Sequence, residues 1–191
     1  MKIINSNQNI EWRKSFSGND ELKTVIEFDD LLRNKSFKGL QIINKGLNQK
    51  NIKKLRVTKK EIVNAGKLVT DDEKFALYEA IKNISYVSKS QLKDISKSIE
   101  PINGLTIWDK FIPITSVGLY VPGGTAPLVS SFLMQVIPAI TAGCKEIIVC
   151  TPPDKNGKVY PAILWLAEQL NVSNIYKIGG AQAILLSLIH I

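Results

Sequence analysis

The chain has 191 residues, 45% of them hydrophobic, with 12 glycines, two cysteines, one histidine and a net charge of +8. That is enough apolar material for one domain, or for one domain with an appendage. No apolar run reaches the ~20 residues of a membrane-spanning helix, and the opening Met-Lys-Ile-Ile-Asn-Ser-Asn-Gln lacks the apolar stretch of a secretory signal.

The charge is lopsided. Residues 1–100 hold 20 Lys and Arg against 13 Asp and Glu, whereas residues 101–191 hold 5 against 4. A basic half can mark a nucleic-acid surface. Here the lysines recur at helical spacing and only three of the 25 cations are Arg. They read as solvated helix faces, and no nucleic-acid or membrane partner is expected. Cys144 and Cys150 sit in an apolar setting without C-x-x-C spacing, as reduced core residues of a cytoplasmic protein would. His190 has no neighbours with which to share a metal or a proton, so no metal site is expected within this chain.

Residues 1–55 are polar, with short helices expected near 20–33 and 37–48. Thr58-Lys-Lys-Glu61 reads as a capping box that opens a helix to about Leu68, and Thr70-Asp-Asp-Glu73 as a second. Leu77, Ile81, Ile84, Leu92, Ile95 and Ile99 then follow at helical spacing, which predicts a long amphipathic helix ended by Pro101. Residues 104–114 look extended, with Trp108 and Phe111 as packing residues. Residues 1–112 are thus expected to form a mainly helical region.

From residue 113 the pattern changes. Strands are expected at 116–121, 145–151 and 174–178. Helices are expected at 128–142, kinked at Pro138 and capped by Gly143, at 160–170, and from Gln182 onward. The order β-α-β-α-β-α predicts an α/β fold: a doubly wound, parallel, incomplete Rossmann-like sheet over 113–191 with right-handed crossovers. Ligands in such sheets sit at the carboxyl ends of strands, where Gly123-Gly124 and Gly179-Gly180 fall.

A strand that ends in glycines and turns into a helix brings bare N–H groups and a helix N-terminus to a ligand. Gly118-x-x-x-x-Gly123-Gly-Thr125 lacks the Lys of a phosphate loop, and no G-x-G-x-x-G is present. On the residues alone, tight structural turns and one wall of a nucleotide-type site are both open readings. Tyr120 is a core ring or a stacking ring. Gln182 is a solvated first-turn residue or an amide donor to a ligand. Ser130 and Ser131 are helix caps or ligand contacts.

The segments Gly118-Leu-Tyr-Val-Pro-Gly-Gly-Thr-Ala-Pro-Leu, Leu133-Met, Ile137-Pro-Ala, Ala142-Gly-Cys-Lys-Glu-Ile, Thr151-Pro-Pro and Tyr176-Lys-Ile-Gly-Gly-Ala-Gln-Ala-Ile occur in the order and spacing of histidinol dehydrogenase, which the chain resembles over about 113–184. The resemblance implies a zinc-dependent, NAD-linked homodimer. Such an enzyme oxidises L-histidinol through L-histidinaldehyde to L-histidine with two NAD, the last step of histidine synthesis. It implies that Tyr120 and Gln182 contact NAD, that Gly123 and Gly124 form the cofactor turn, and that Ser130 lies near the substrate. By the same resemblance the zinc ligands and the Glu-His acid/base pair lie beyond residue 191, so no catalytic residue is expected here. The chain then corresponds to the N-terminal portion, inactive alone, and its tail 185–191 departs from the family pattern. Two other readings are a non-catalytic α/β binding module that keeps the glycine turns as structure only, and a basic nucleic-acid-binding protein.

Overall fold

The computed structural model describes residues 27, 30, 31, 34, 38, 39, 42, 55–92, 98–123, 128–154 and 156–179. Gly124, Gln182, His190 and the helix expected from Gln182 lie outside the described residues. By compactness the chain divides between Asn51 and Ile52, well before the boundary expected from composition. In the first unit the described residues, Glu27, Asp30, Leu31, Asn34, Lys38, Gly39 and Ile42, are all helical.

The second unit begins with helices α1 (Lys59–Ala65) and α2 (Asp71–Gln91). Both open on the expected capping boxes. Thr58 N donates to Glu61 Oε2 at 2.8 Å while Glu61 N donates to Thr58 Oγ1 at 3.3 Å; Thr70 and Glu73 repeat the arrangement at 2.9 and 3.3 Å. Two otherwise orphaned backbone donors are satisfied at each start. The helix expected to run to Pro101 stops at Gln91, and Pro101 lies inside a strand. Strands β1 (Ile99–Ile102) and β2 (Leu105–Ile107) form an antiparallel hairpin. The Asn103-Gly104 turn between runs rich in β-branched residues explains it, with Gly104 at φ +84°. Trp108 and Phe111, expected as packing residues, are 62% and 60% exposed.

Next come β3 (Ser116–Tyr120), α3 (Val129–Thr141), β4 (Glu146–Thr151), α4 (Pro161–Gln169) and β5 (Asn174–Lys177). The three strands form one parallel sheet in the order β3-β4-β5, as the α/β expectation requires. Each connecting helix ends the same way. Cys144 N donates to Ala139 O and Gly143 N to Ile140 O after α3; Val172 N donates to Ala167 O and Asn171 N to Glu168 O after α4. These are Schellman stops, with Gly143 at φ +86° and Asn171 at φ +56° in the left-handed position. Gly143 thus ends α3 as expected.

Both crossovers step one strand in the same direction and share one hand, so α3 and α4 lie on the same sheet face and touch each other. That face carries Val121, Val149 and Ile175, all fully buried. Outside this layer, α1 lies against α4 and α2 against α3. The consequence is visible in α4: Ala162 through Ala167 are all buried, on every side of the helix. Leu77, Ile81 and Ile84 of α2 pack on this core, and Tyr78 meets Trp165 edge-on at 5.1 Å between ring centroids. Residues 55–57 pair antiparallel with β5, through Val57 N to Ile175 O at 2.9 Å and Lys177 N to Leu55 O at 2.7 Å.

Candidate functional site

Tyr120 is the last residue of β3, and the parallel register sets it beside Cys150, which in turn sits beside Tyr176. Strand side chains alternate faces, so these three share the face away from α3 and α4. Tyr120 is half-buried and Cys150 buried; burial pushes the Cys150 thiol up to about 11, which makes it an inert core thiol rather than a nucleophile.

The chain then turns. Val121 is fully buried and its N–H donates to Cys150 O at 2.9 Å. Gly123 follows against the loop after β4. A Cβ on Gly123 would stand 2.6 Å from Pro152 Cγ, a separation that real Cβ atoms do not show. Glycine is required there by close approach. Ser130 is exposed in the first turn of α3. The structure therefore brings Tyr120, Gly123 and the start of α3 to the carboxyl edge of the sheet. Gly124 and Gln182 lie outside the described residues.

Two further groups hold this edge, and the sequence reading named neither. Lys177, the last residue of β5, is 7% exposed and its Nζ pairs with Glu61 Oε1 of α1. Partial burial raises the Glu61 pKa, but the bonds from Lys177 and from the N–H and hydroxyl of Thr58 outweigh it and hold the carboxyl below its ordinary value. Gln135 of α3 donates from Nε2 to Tyr120 O at 3.0 Å. Its signal was present: Gln135 is the one polar side chain in residues 132–140 of an otherwise apolar helix. Lys177 gave none, since a cation at the end of a short strand reads as solvated.

A separate cleft of about 320 Å³ opens between α1 and the β4–α4 loop, lined by Glu61, Asn64, Leu68, Lys158, Tyr160 and Leu164 among others. Neither Tyr120 nor Gly123 borders it. Among the described residues no three or more His, Cys, Asp or Glu side chains are grouped so that they could hold a metal ion, and no helix is long and apolar enough to cross a membrane.

A sequence model of the family described as histidinol dehydrogenase matches residues 13–186. Curated histidinol dehydrogenases are similar. That of Bacteroides thetaiotaomicron is 42% identical over 165 residues, covering 86% of this chain and 38% of the relative. That of Bacteroides fragilis is 52% identical over 130 residues, covering 68% and 30%. A crystal structure of histidinol dehydrogenase from Elizabethkingia anophelis superposes with a TM-score of 0.78 at 37% identity, covering 96% of this chain and 39% of that one. The chain thus spans about two fifths of the length of the relatives that it matches most fully. With the match running through the helical region, the sheet and the glycine turn alike, the chain belongs to the histidinol dehydrogenase family.

Proposed function

We propose that this chain forms the cofactor-binding part of an NAD-linked oxidoreductase that converts L-histidinol through L-histidinaldehyde to L-histidine. In this reading Tyr120, Gly123, Gly124 and Gln182 hold NAD, and Ser130 lies beside the substrate. The observation that carries it is the carboxyl edge of the parallel sheet, where Tyr120 ends β3 and Gly123 follows before α3 begins. A parallel sheet offers its ligand site at that edge, and a glycine pair there lets a nucleotide approach backbone. When bound, NAD supplies the hydride acceptor. The chain's own part is to place it: Tyr120 supplies an aromatic face, and the turn supplies backbone donors.

The same reading makes the working protein a cytoplasmic, zinc-dependent homodimer. In this reading the zinc ligands and the acid/base pair lie outside this chain, which alone then has no histidinol-dependent NAD reduction. A non-catalytic module that keeps the turns as structure is not favoured, because the family match extends over the whole fold and not over the turns alone.

The test is direct binding of NAD to the purified full chain by equilibrium dialysis, with Tyr120→Ala and Gln182→Ala alongside. Saturable binding that each substitution weakens by about 1–3 kcal/mol supports the reading, this being the worth of one stacking contact or buried hydrogen bond. An unsubstituted chain that retains no NAD overturns it.

A further inference from the structure

Tyr120 and Val121 share one peptide plane, and the structure grips that plane from both sides. Its N–H, on Val121, donates to Cys150 O of β4 at 2.9 Å. In a strand the N–H and C=O of one residue point to the same side, and those of the next residue to the other side. The Tyr120 carbonyl therefore points away from β4, toward the outer edge of β3, where no strand of the described sheet lies. The side chain of Gln135 reaches it there, with Nε2 at 3.0 Å.

Gln135 is expensive where it stands. It is half-buried, next to the buried Val136, on a helix whose hydrophobic face forms the core. A half-buried amide in that setting costs stability unless it is bonded. The bond it makes ties α3 to the residue at which β3 ends. Gly123 and the start of α3 lie between those two points.

We propose that Gln135 is a positioning residue for the cofactor turn: by fixing the Tyr120 carbonyl it sets the peptide plane from which both the Tyr120 ring and the Gly123 backbone project. Without that donor the plane loses the bond that ties it to α3. The Tyr120 ring and the turn then depart from the arrangement that meets the dinucleotide. This rests on the cofactor reading above.

The experiment measures NAD affinity on the full chain for four proteins: unsubstituted, Gln135→Met, Tyr120→Ala and the double variant. Methionine keeps the length of the side chain and loses the donor. Gln135→Glu keeps the shape and also lacks the donor at neutral pH, so it replaces Gln135→Met if that variant does not fold. The expected result is a weakening of roughly three- to tenfold for Gln135→Met, the range that one hydrogen bond supports, with an unchanged melting temperature. The double variant should lose less than the product of the two single losses, because the part of the Gln135 effect that passes through the Tyr120 ring is gone while the part that passes through Gly123 remains. Unaltered affinity in Gln135→Met and Gln135→Glu, or losses that multiply in the double variant, overturn the inference while leaving the cofactor reading intact. Absence of NAD binding by the unsubstituted chain overturns both.

Discussion

Replacing Gly123 with alanine puts a methyl group 2.6 Å from Pro152 Cγ, 3.3 Å from Pro152 Cδ and 3.3 Å from Pro152 O. Carbon atoms pack best at about 3.5–4.0 Å, so the nearest contact is about 1 Å too short. A change of ring pucker can move Pro152 Cγ only part of that distance, and Pro152 Cδ and O, each at 3.3 Å, are held by the ring closure and by the strand it follows. Relief must come from backbone movement in the turn. Overpacking of this kind costs ~1–3 kcal/mol, which for a chain of this size is a fall of about 2–12 °C in melting temperature. The assay is a thermal and a urea melt followed by circular dichroism, with an unchanged m-value as the sign that only stability has moved. Pro152→Ala removes the offending Cγ, so Gly123→Ala should cost about 1 kcal/mol less in that background, a coupling typical of residues in contact. Gly157→Ala gives the contrast. Nothing lies within 4 Å of that site, but φ is +77°, so its penalty of ~1–2 kcal/mol comes from the backbone and does not change with Pro152. If Gly123→Ala melts with the parent, or loses the same stability with and without Pro152, the close approach is not what demands glycine.

Glu61→Ala leaves the nine-tenths-buried ammonium of Lys177 without its carboxylate. We expect a loss of about 2–3 kcal/mol by denaturant melt, below the ~3–5 of a fully buried pair because Glu61 itself is 36% exposed. The Glu61 pKa lies below the ordinary 4.5 in the folded chain, so its contribution is complete above 4.5 and disappears as pH falls below it; Glu61→Gln should flatten that acid limb, and an unchanged limb would show that Glu61 does not set it. Cys144 is half-exposed and Cys150 buried with its thiol pushed up to about 11; iodoacetamide at neutral pH should therefore label Cys144 alone until the chain unfolds, and equal rates would contradict the packing. Trp108→Ser and Phe111→Ser should raise the soluble, monomeric fraction while moving stability by no more than about 0.5 kcal/mol, as expected of exposed sites. A large drop in melting temperature would mean that both rings are buried after all.

The local signals were the legible ones. Thr58 and Thr70 announce their helices because a capping box is written within four residues, and the glycine turns announce the edge of a parallel sheet. Gly123 was found by its type and its place after a strand, although the atom that demands it, Pro152 Cγ, could not be read from spacing. The helix expected to reach Pro101 failed on a competing signal, the Asn103-Gly104 turn, which makes a hairpin of residues that also fit a helical period. Trp108 and Phe111 were placed in the core on type alone, since burial depends on what the neighbouring chain supplies. Lys177 and Glu61 are 116 positions apart, and no local pattern joins them.

That pair bears on how the protein folds. If residues up to 112 were a separate helical region, a chain shortened to 98–191 would keep its sheet. The contacts predict otherwise. α4 is buried on all sides, and its outer side is covered by α1 and by Tyr78 of α2. Val57, Ile62, Ala65 and Val69 are all buried in the same core as Trp165 and Leu166. Removing residues 55–92 uncovers that flank of α4, unpairs the β5 edge from residues 55–57 and strips Lys177 of Glu61. Burial of one large apolar side chain stabilises by ~1.5–3 kcal/mol, and domains are stable by only ~5–15, so the loss of Val57, Ile62 and Val69 alone, about 4.5–9 kcal/mol, approaches the whole margin. The shortened chain should show no cooperative melt and should bind dyes that report exposed apolar surface. The chain from residue 52 onward should melt cooperatively. A sharp transition in the shortened chain would mean that the sheet and its two crossover helices are a folding unit in their own right, and that α1 and α2 are an addition to it.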